Sequence, residues 1–211
     1  MTIKGLRFPD LDTFVPTYNA EISAGSLMPL ESKRIAALLL TQPDEAAWRR
    51  AIEIDNILQK KTPATARRQA TLIRKRLMTL DVQGREMITV RESEVQLQLL
   101  LAAAIKHSPL LGDFMRNVYT LRQRGLDSAL NPNDWPEFLA ECSHQDPAVA
   151  LWTASTRAKL FQVIVRVLAE AKYLDNARSM RLTPRSLHPD ARRYLAERQE
   201  TYVLDCLERA Q

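Results

Sequence analysis

Glycine is scarce in this sequence: 5 of 211 residues. A sheet-rich fold needs more for its hairpins, whereas helix interiors are better without it. Cysteine is scarcer still. Cys142 and Cys206 form no CxxC pair and offer no disulfide framework, so both are expected as reduced thiols in a cytoplasmic protein. His107, His144 and His188 lie far apart with no HExxH or similar spacing, so neither a metal nor another cofactor is expected. No Walker loop and no GxGxxG occurs, which removes support for nucleotide binding. Aromatic residues are only 6% of the chain and do not interleave with the basic ones. That disfavours single strands and RNA loops, where stacking carries much of the binding. Long apolar runs are missing as well. The greasiest, 97–105, is interrupted by Gln98 and closed by Lys106, against the roughly 20 apolar residues a membrane span requires. The first twelve residues hold no apolar core of the kind a secretory signal needs.

What is present favours helices. Leu, Ala, Arg, Glu and Gln dominate, and all are good helix formers. The hydrophobic fraction of 45% supplies a core. A capping residue followed by proline recurs at Thr62-Pro63, Ser108-Pro109, Asn131-Pro132, Asp146-Pro147 and His188-Pro189. The cap satisfies an orphan amide, and proline at the first helical position loses no needed donor. These marks predict helices over 29–40, 45–59, 63–80, 93–107, 109–124, 134–143, 147–151, 155–172, 189–198 and 200–209. Short extended pieces are expected at 86–90 and 179–183. The fold class is therefore all-α, with at most short β pieces. The best seam lies around 125–131, dividing the chain into closely packed halves, 1–125 and 126–211.

The stretch 45–80 has the layout of a helix-turn-helix, with Lys60 and Lys61 in the turn and Thr62-Pro63 opening the second helix. At 100° per residue, Ala66, Ala70, Ile73, Leu77 and Leu80 form the core stripe, and Ala64, Arg68, Thr71 and Lys75 lie opposite, flanked by Arg67, Arg74 and Arg76. Small residues at the start, Ala64 and Thr65, permit close approach to DNA; Arg68 and Thr71 can reach base edges, and the flanking cations can reach phosphates. A second unit covers 146–172. There Leu160, Val163, Ile164, Val167, Leu168 and Ala171 face the core, while Ser155, Lys159, Gln162 and Arg166 face outward beside Thr156 and Arg157. These outer positions sit 91 residues after Ala64, Arg68, Thr71 and Lys75, and Thr62, Thr65, Ile73 and Leu77 match Thr153, Thr156, Ile164 and Leu168 at the same offset. The segment 178–185, with Arg178, Arg181 and Arg185, reads as the wing of a winged helix.

The formal net charge is +5. Lys60, Lys61, Arg67, Arg68, Arg74, Lys75, Arg76 and Arg85 are opposed nearby in sequence only by Asp81, while Glu31, Glu45, Glu53 and Asp55 precede them. Such a separation suits a protein that meets a polyanion on one side. Catalysis has little to rest on. Cys142 and His144 lie two apart without a hydrolase signature, and Asp134, Glu137 and Glu141, at helical spacing, read as surface and cap residues. Trp48, Trp135 and Trp152 read as core anchors.

With these segments in view, the chain resembles the BrxA family of BREX anti-phage systems. The likeness is carried by Tyr18 with Ser23-Ala-Gly-Ser-Leu27, Glu31-Ser32, Ala37-Leu-Leu-Leu40, Asn56-Ile-Leu-Gln-Lys60, Thr62-Pro-Ala-Thr-Ala-Arg67 and Ile73-Arg-Lys-Arg-Leu77. It continues through Leu100-Leu-Ala-Ala-Ala-Ile-Lys-His-Ser-Pro-Leu-Leu-Gly-Asp-Phe114, Asp146-Pro-Ala-Val-Ala150, Ser155-Thr-Arg-Ala-Lys-Leu160, Ala169-Glu-Ala-Lys-Tyr-Leu-Asp175 and Tyr202-Val-Leu. The resemblance implies a small all-α component of a system that marks host DNA by methylation and blocks replication of unmarked phage DNA. It also implies a duplex-DNA binder with two helix-turn-helix motifs. The expected function is therefore non-catalytic binding of double-stranded DNA by a monomer, without small-molecule substrate or membrane contact. The competing readings are an adaptor that docks other BREX proteins and an RNA-binding helical protein.

Overall fold

A computed structural model describes residues 18–91, 93–125, 128–183 and 185–208, and all of its regular elements are helical. After a 3-10 turn at Glu21–Ala24 come α1 (Pro29–Leu40), α2 (Glu45–Arg49, continuing as a π turn over Arg50–Ile54), α3 (Pro63–Leu77), α4 (Val82–Val90) and α5 (Ser93–His107). Helix α6 runs over Pro109–Phe114, widens into a π turn at Met115–Tyr119 and closes over Thr120–Arg124. Then follow α7 (Asp134–Gln145), a 3-10 turn at Pro147–Leu151, α8 (Ala154–Glu170), α9 (Pro189–Glu197) and α10 (Thr201–Glu208).

Helix α5 is the axle of the molecule. Leu99 through Ile105 are all buried, as are Gln96 and Gln98, so this helix has no solvated face through its middle. Its two buried amides are satisfied by distant backbone: Gln96 donates to Pro29 O at 3.2 Å, and Gln98 donates to Ser186 O at 3.0 Å while accepting from His188 N at 2.8 Å. Around it pack α1, α3, α4, α6, α9 and α10. The apolar interior continues through both halves of the chain as one cluster, from Ile22 and Ile35 to Leu160 and Leu207. On the far side Phe114 meets Trp135 and Phe138 edge-on, at ring distances of 5.8 and 5.4 Å. Among the described residues no helix is long and apolar enough to cross a membrane.

Several local expectations need correction. The helix expected over 45–59 ends at Ile54, because Asn56 and Gln59 adopt left-handed backbone, φ 47° and 53°. The Asn56 amide brackets Lys60, donating to its carbonyl and accepting from its N–H, both at 2.9 Å. The segment 86–90, expected to be extended, belongs to α4. Asp81 caps that helix by accepting from Gly84 N at 2.9 Å, and Gly84, Met87 and Ile88 are buried on one face. Packing of that face against α1 and α5 overrides the β-branched run Ile88-Thr89-Val90. Asn131-Pro132 precedes its helix by two residues, and Asp134, expected at the surface, is buried and held by Arg122 Nε at 2.9 Å. The second long helix, expected over 155–172, runs from Ala154 to Glu170 with Thr153 as its cap. Arg76, expected on a solvated flank, is only 4% exposed. The extended character expected near 179–183 is confined to two isolated antiparallel bridges, Ala129 with Arg181 and Leu174 with Leu182.

Candidate nucleic-acid interface

The two candidate reading helices begin alike. Thr62 caps α3, its hydroxyl oxygen accepting from Thr65 N at 3.2 Å and lying 2.9 Å from Thr65 Oγ1. Thr153 caps α8 with the same two distances to Thr156 N and Thr156 Oγ1. The match at an offset of 91 residues is thus one of geometry as well as residue type. Each cap leaves a first turn without acidic residues, which is how a helix N-terminus receives an anion.

The outer faces are in water. Lys61, Ala64, Arg67, Arg68, Thr71 and Lys75 are exposed on the first unit, and Ser155, Lys159, Gln162 and Arg166 on the second. Their inner stripes are buried as expected, from Ala66 to Leu80 and from Leu160 to Ala171. A groove of about 430 Å³ brings the two faces together: Lys60, Arg68 and Gln69 line one side, Lys159, Val163 and Arg166 the other, and residues of the 23–31 segment the floor. Arg68 also borders a second trough of about 310 Å³ that runs along Thr71 and Lys75. Arg67, Arg74, Arg157 and Arg181 do not line either hollow. Arg181 is exposed, but its backbone is tied to Ala129 and its N–H to Asp175 Oδ1 at 3.0 Å.

The charges are less separated in space than along the chain. Lys60 Nζ lies 2.5 Å from Glu31, Arg67 3.8 Å from Glu53, Arg74 3.5 Å from Glu45, and Lys75 2.8 Å from Glu21. Arg74 also lies over the Trp48 ring, 4.5 Å from its centre. The hydrogen bond from Lys75 holds the Glu21 carboxyl below its ordinary range. Burial opposes ionisation of Glu31, but the bond from Lys60 and neighbouring charges outweigh it, and that carboxyl too is held low. In the second unit Arg166 meets Glu170 at 3.4 Å. Arg157 is occupied within the fold, donating to Ala150 O at 2.9 Å. Lys61, Arg68, Lys159 and Gln162 have no hydrogen bond or ion pair among the described residues, and of these Arg68 and Lys159 line the groove.

The 23–31 segment is the part of the candidate site that sequence reasoning missed. Arg76 of α3 donates to Ser26 O at 2.5 Å and Gly25 O at 3.0 Å. Glu170 of α8 accepts from Ser26 Oγ at 2.8 Å and Met28 N at 3.1 Å. One short stretch is therefore fastened to both helices. The small polar run Ser23-Ala24-Gly25-Ser26 was the available signal, since small residues permit close backbone approach. Away from this face, burial pushes the Cys142 thiol up to about 11 and Cys206 up to about 12. Neither supplies a thiolate near neutral pH, and His144 is exposed.

A family model described as BrxA matches residues 16–199. The chain belongs to the BrxA family. A protein named "BREX protein BrxA" from Paramagnetospirillum magneticum is 38% identical over 193 residues, covering 92% of this chain and 97% of that protein. Another of the same name, from Escherichia coli O9:H4, is 36% identical and covers 89% of this chain and 88% of its own length. A solved structure, titled as an uncharacterized protein from Magnetospirillum magneticum, superposes with a TM-score of 0.85 at 37% identity over 91% of this chain. The BrxA match takes in both capped helices and the 23–31 segment between them.

Proposed function

We propose that this protein is a non-catalytic, double-stranded DNA-binding component of a BREX phage-defence system. The name shared by its relatives supports the system. The role rests on one observation above others: two helix faces with the same threonine cap meet at one groove, with Arg68 and Lys159 unpaired on opposite walls. A winged helix-turn-helix reading of the second unit, widened from the expected 146–172 to take in α6 and α7, is supported by the order of elements. Helix α6, the bridge at Ala129, α7, α8 and the Leu174–Leu182 bridge follow the succession of helices and short strands in that motif, which makes α7 and α8 its helix pair. In the first half α2 and α3 form the corresponding pair, joined by the bracketed 55–62 connection. Each unit brings one head to the duplex, the second drawing α6 from the 1–125 half.

Titration of a labelled duplex at increasing salt tests the reading. Wild-type protein should bind at micromolar concentration or better at low salt, and Arg68→Ala combined with Lys159→Ala should lose most of that binding. If both side chains meet phosphates, the log–log salt slope falls by roughly 2, about 0.9 per lost contact. Both residues are exposed, so the melting temperature should stay in place. Unchanged binding by the double variant would discard the interface. The adaptor reading has a different surface in its favour, where exposed Leu121 borders Val118, Phe138, Glu137 and Glu141. Protein that ignores duplex at low salt yet co-purifies with another BREX component would favour it.

A further inference from the structure

The two heads are equivalent in sequence pattern but not in surroundings. Four cations on or beside α3, namely Lys60, Arg67, Arg74 and Lys75, each face a carboxylate. Those carboxylates stand beside the helix and would meet any phosphate or base edge brought deep against it. Helix α8 differs. Its exposed Ser155, Lys159 and Gln162 form a polar ridge from its first turn onward, and among the described residues none of the three faces a carboxylate. Its acidic neighbour, Glu170, stands at the last turn, where it meets Arg166 at 3.4 Å and accepts from Ser26 and Met28.

Spacing is the second constraint. Arg68 and Lys159 line one groove, and Ser26 on its floor bonds both Arg76 of α3 and Glu170 of α8, so the two helices stand side by side. Half-sites read by paired recognition helices lie roughly 34 Å apart, one turn of DNA. Nor can the heads swing apart to that distance as rigid arms, because Arg76 and Glu170 fasten the same 25–28 stretch from either side. A major groove about 12 Å wide admits one helix. Two helices this close therefore cannot both lie in it.

Building on the duplex-binding reading, we propose that both heads close on a single stretch of DNA no longer than about one turn, with α8 in the major groove and Arg68 of α3 on the phosphate backbone beside it. Gln162 and Lys159 then contact base edges, and Arg68 contributes affinity without sequence information. Arg76 and Glu170 are positioning residues that set the distance between the two contacts.

The test uses the full chain and a series of duplexes from about 12 to 30 base pairs, with and without bulky 5-substituted pyrimidines that fill the major groove. The affinity, corrected for the number of overlapping sites, should hold within about threefold down to the shortest duplex. Major-groove substituents should weaken binding at least tenfold, whereas a minor-groove ligand should compete poorly. Arg68→Ala should weaken binding to unrelated sequences by a common factor and lower the salt slope by about 1, whereas Gln162→Ala should leave that slope unchanged. Binding that collapses below about 20 base pairs would overturn the single-stretch geometry. Indifference to major-groove substituents would overturn the placement of α8. Failure to bind every duplex at low salt would instead refute the DNA reading, and this inference with it.

Discussion

Replacing Arg76 by alanine should cost about 3–5 kcal/mol of folding stability, through the loss of two hydrogen bonds from a buried cation to backbone carbonyls. The residue is 4% exposed, and its guanidinium holds the carbonyls of Ser26 and Gly25. Burial pushes its pKa down to about 10, with the Glu170 charge pulling the other way, so the side chain remains a cation at neutral pH. A hydrogen bond from a charged donor contributes about 1.5–3 kcal/mol, and two are lost, which sets the scale of that cost. For a chain of this size each kcal/mol lowers the melting temperature by about 2–4 °C, so thermal unfolding followed by circular dichroism should show a fall of roughly 6–20 °C. Arg76→Met, which keeps the apolar stem, should fall less, and the difference between the two variants measures packing separately from hydrogen bonding. A drop below about 2 °C for Arg76→Ala would refute the claim that this residue fastens the 25–28 stretch to α3.

Two further outcomes follow from other parts of the fold. Gly84→Ala should destabilise by about 1–2 kcal/mol in urea unfolding, despite alanine's better helix propensity. The added Cβ would lie 2.3 Å from Tyr194 Oη, and that hydroxyl is held by Asp81 at 2.9 Å. For His107, burial lowers the pKa from 6.5, with the Arg76 charge acting in the same sense and Glu21 opposing. The unfolded chain therefore takes up the proton first. This contribution to stability is complete at high pH, declines as pH falls through 6.5 and levels off below the folded value. His107→Gln should flatten the pH dependence of the melting temperature in that window, and an unaltered profile would count against it.

Helix starts were legible because they are decided locally. Thr62, Asp146 and Thr153 each satisfy an amide two or three residues on, whatever the rest of the chain does. The outward faces of α3 and α8 were legible for a related reason, since a 3.6-residue period assigns sides without knowing the neighbours. What escaped depended on distant partners. Arg76 is buried by a segment some 50 residues away; Glu45, which seemed separate from the basic helix, folds back onto it across 29 positions, and Glu21, not singled out in the sequence, reaches it across 54. Helix α4 was missed because its β-branched end favours a strand, and only the packing of Gly84, Met87 and Ile88 decides otherwise.

On this account the shared groove and its two unpaired cations serve duplex DNA. Direct competition between duplex, single strand and RNA of matched length, repeated from about 50 to 200 mM salt, tests it most directly. Preference for the duplex, with affinity falling steeply as salt rises, is the expected result. Equal or stronger binding to RNA or single strand, or affinity indifferent to salt, would contradict it.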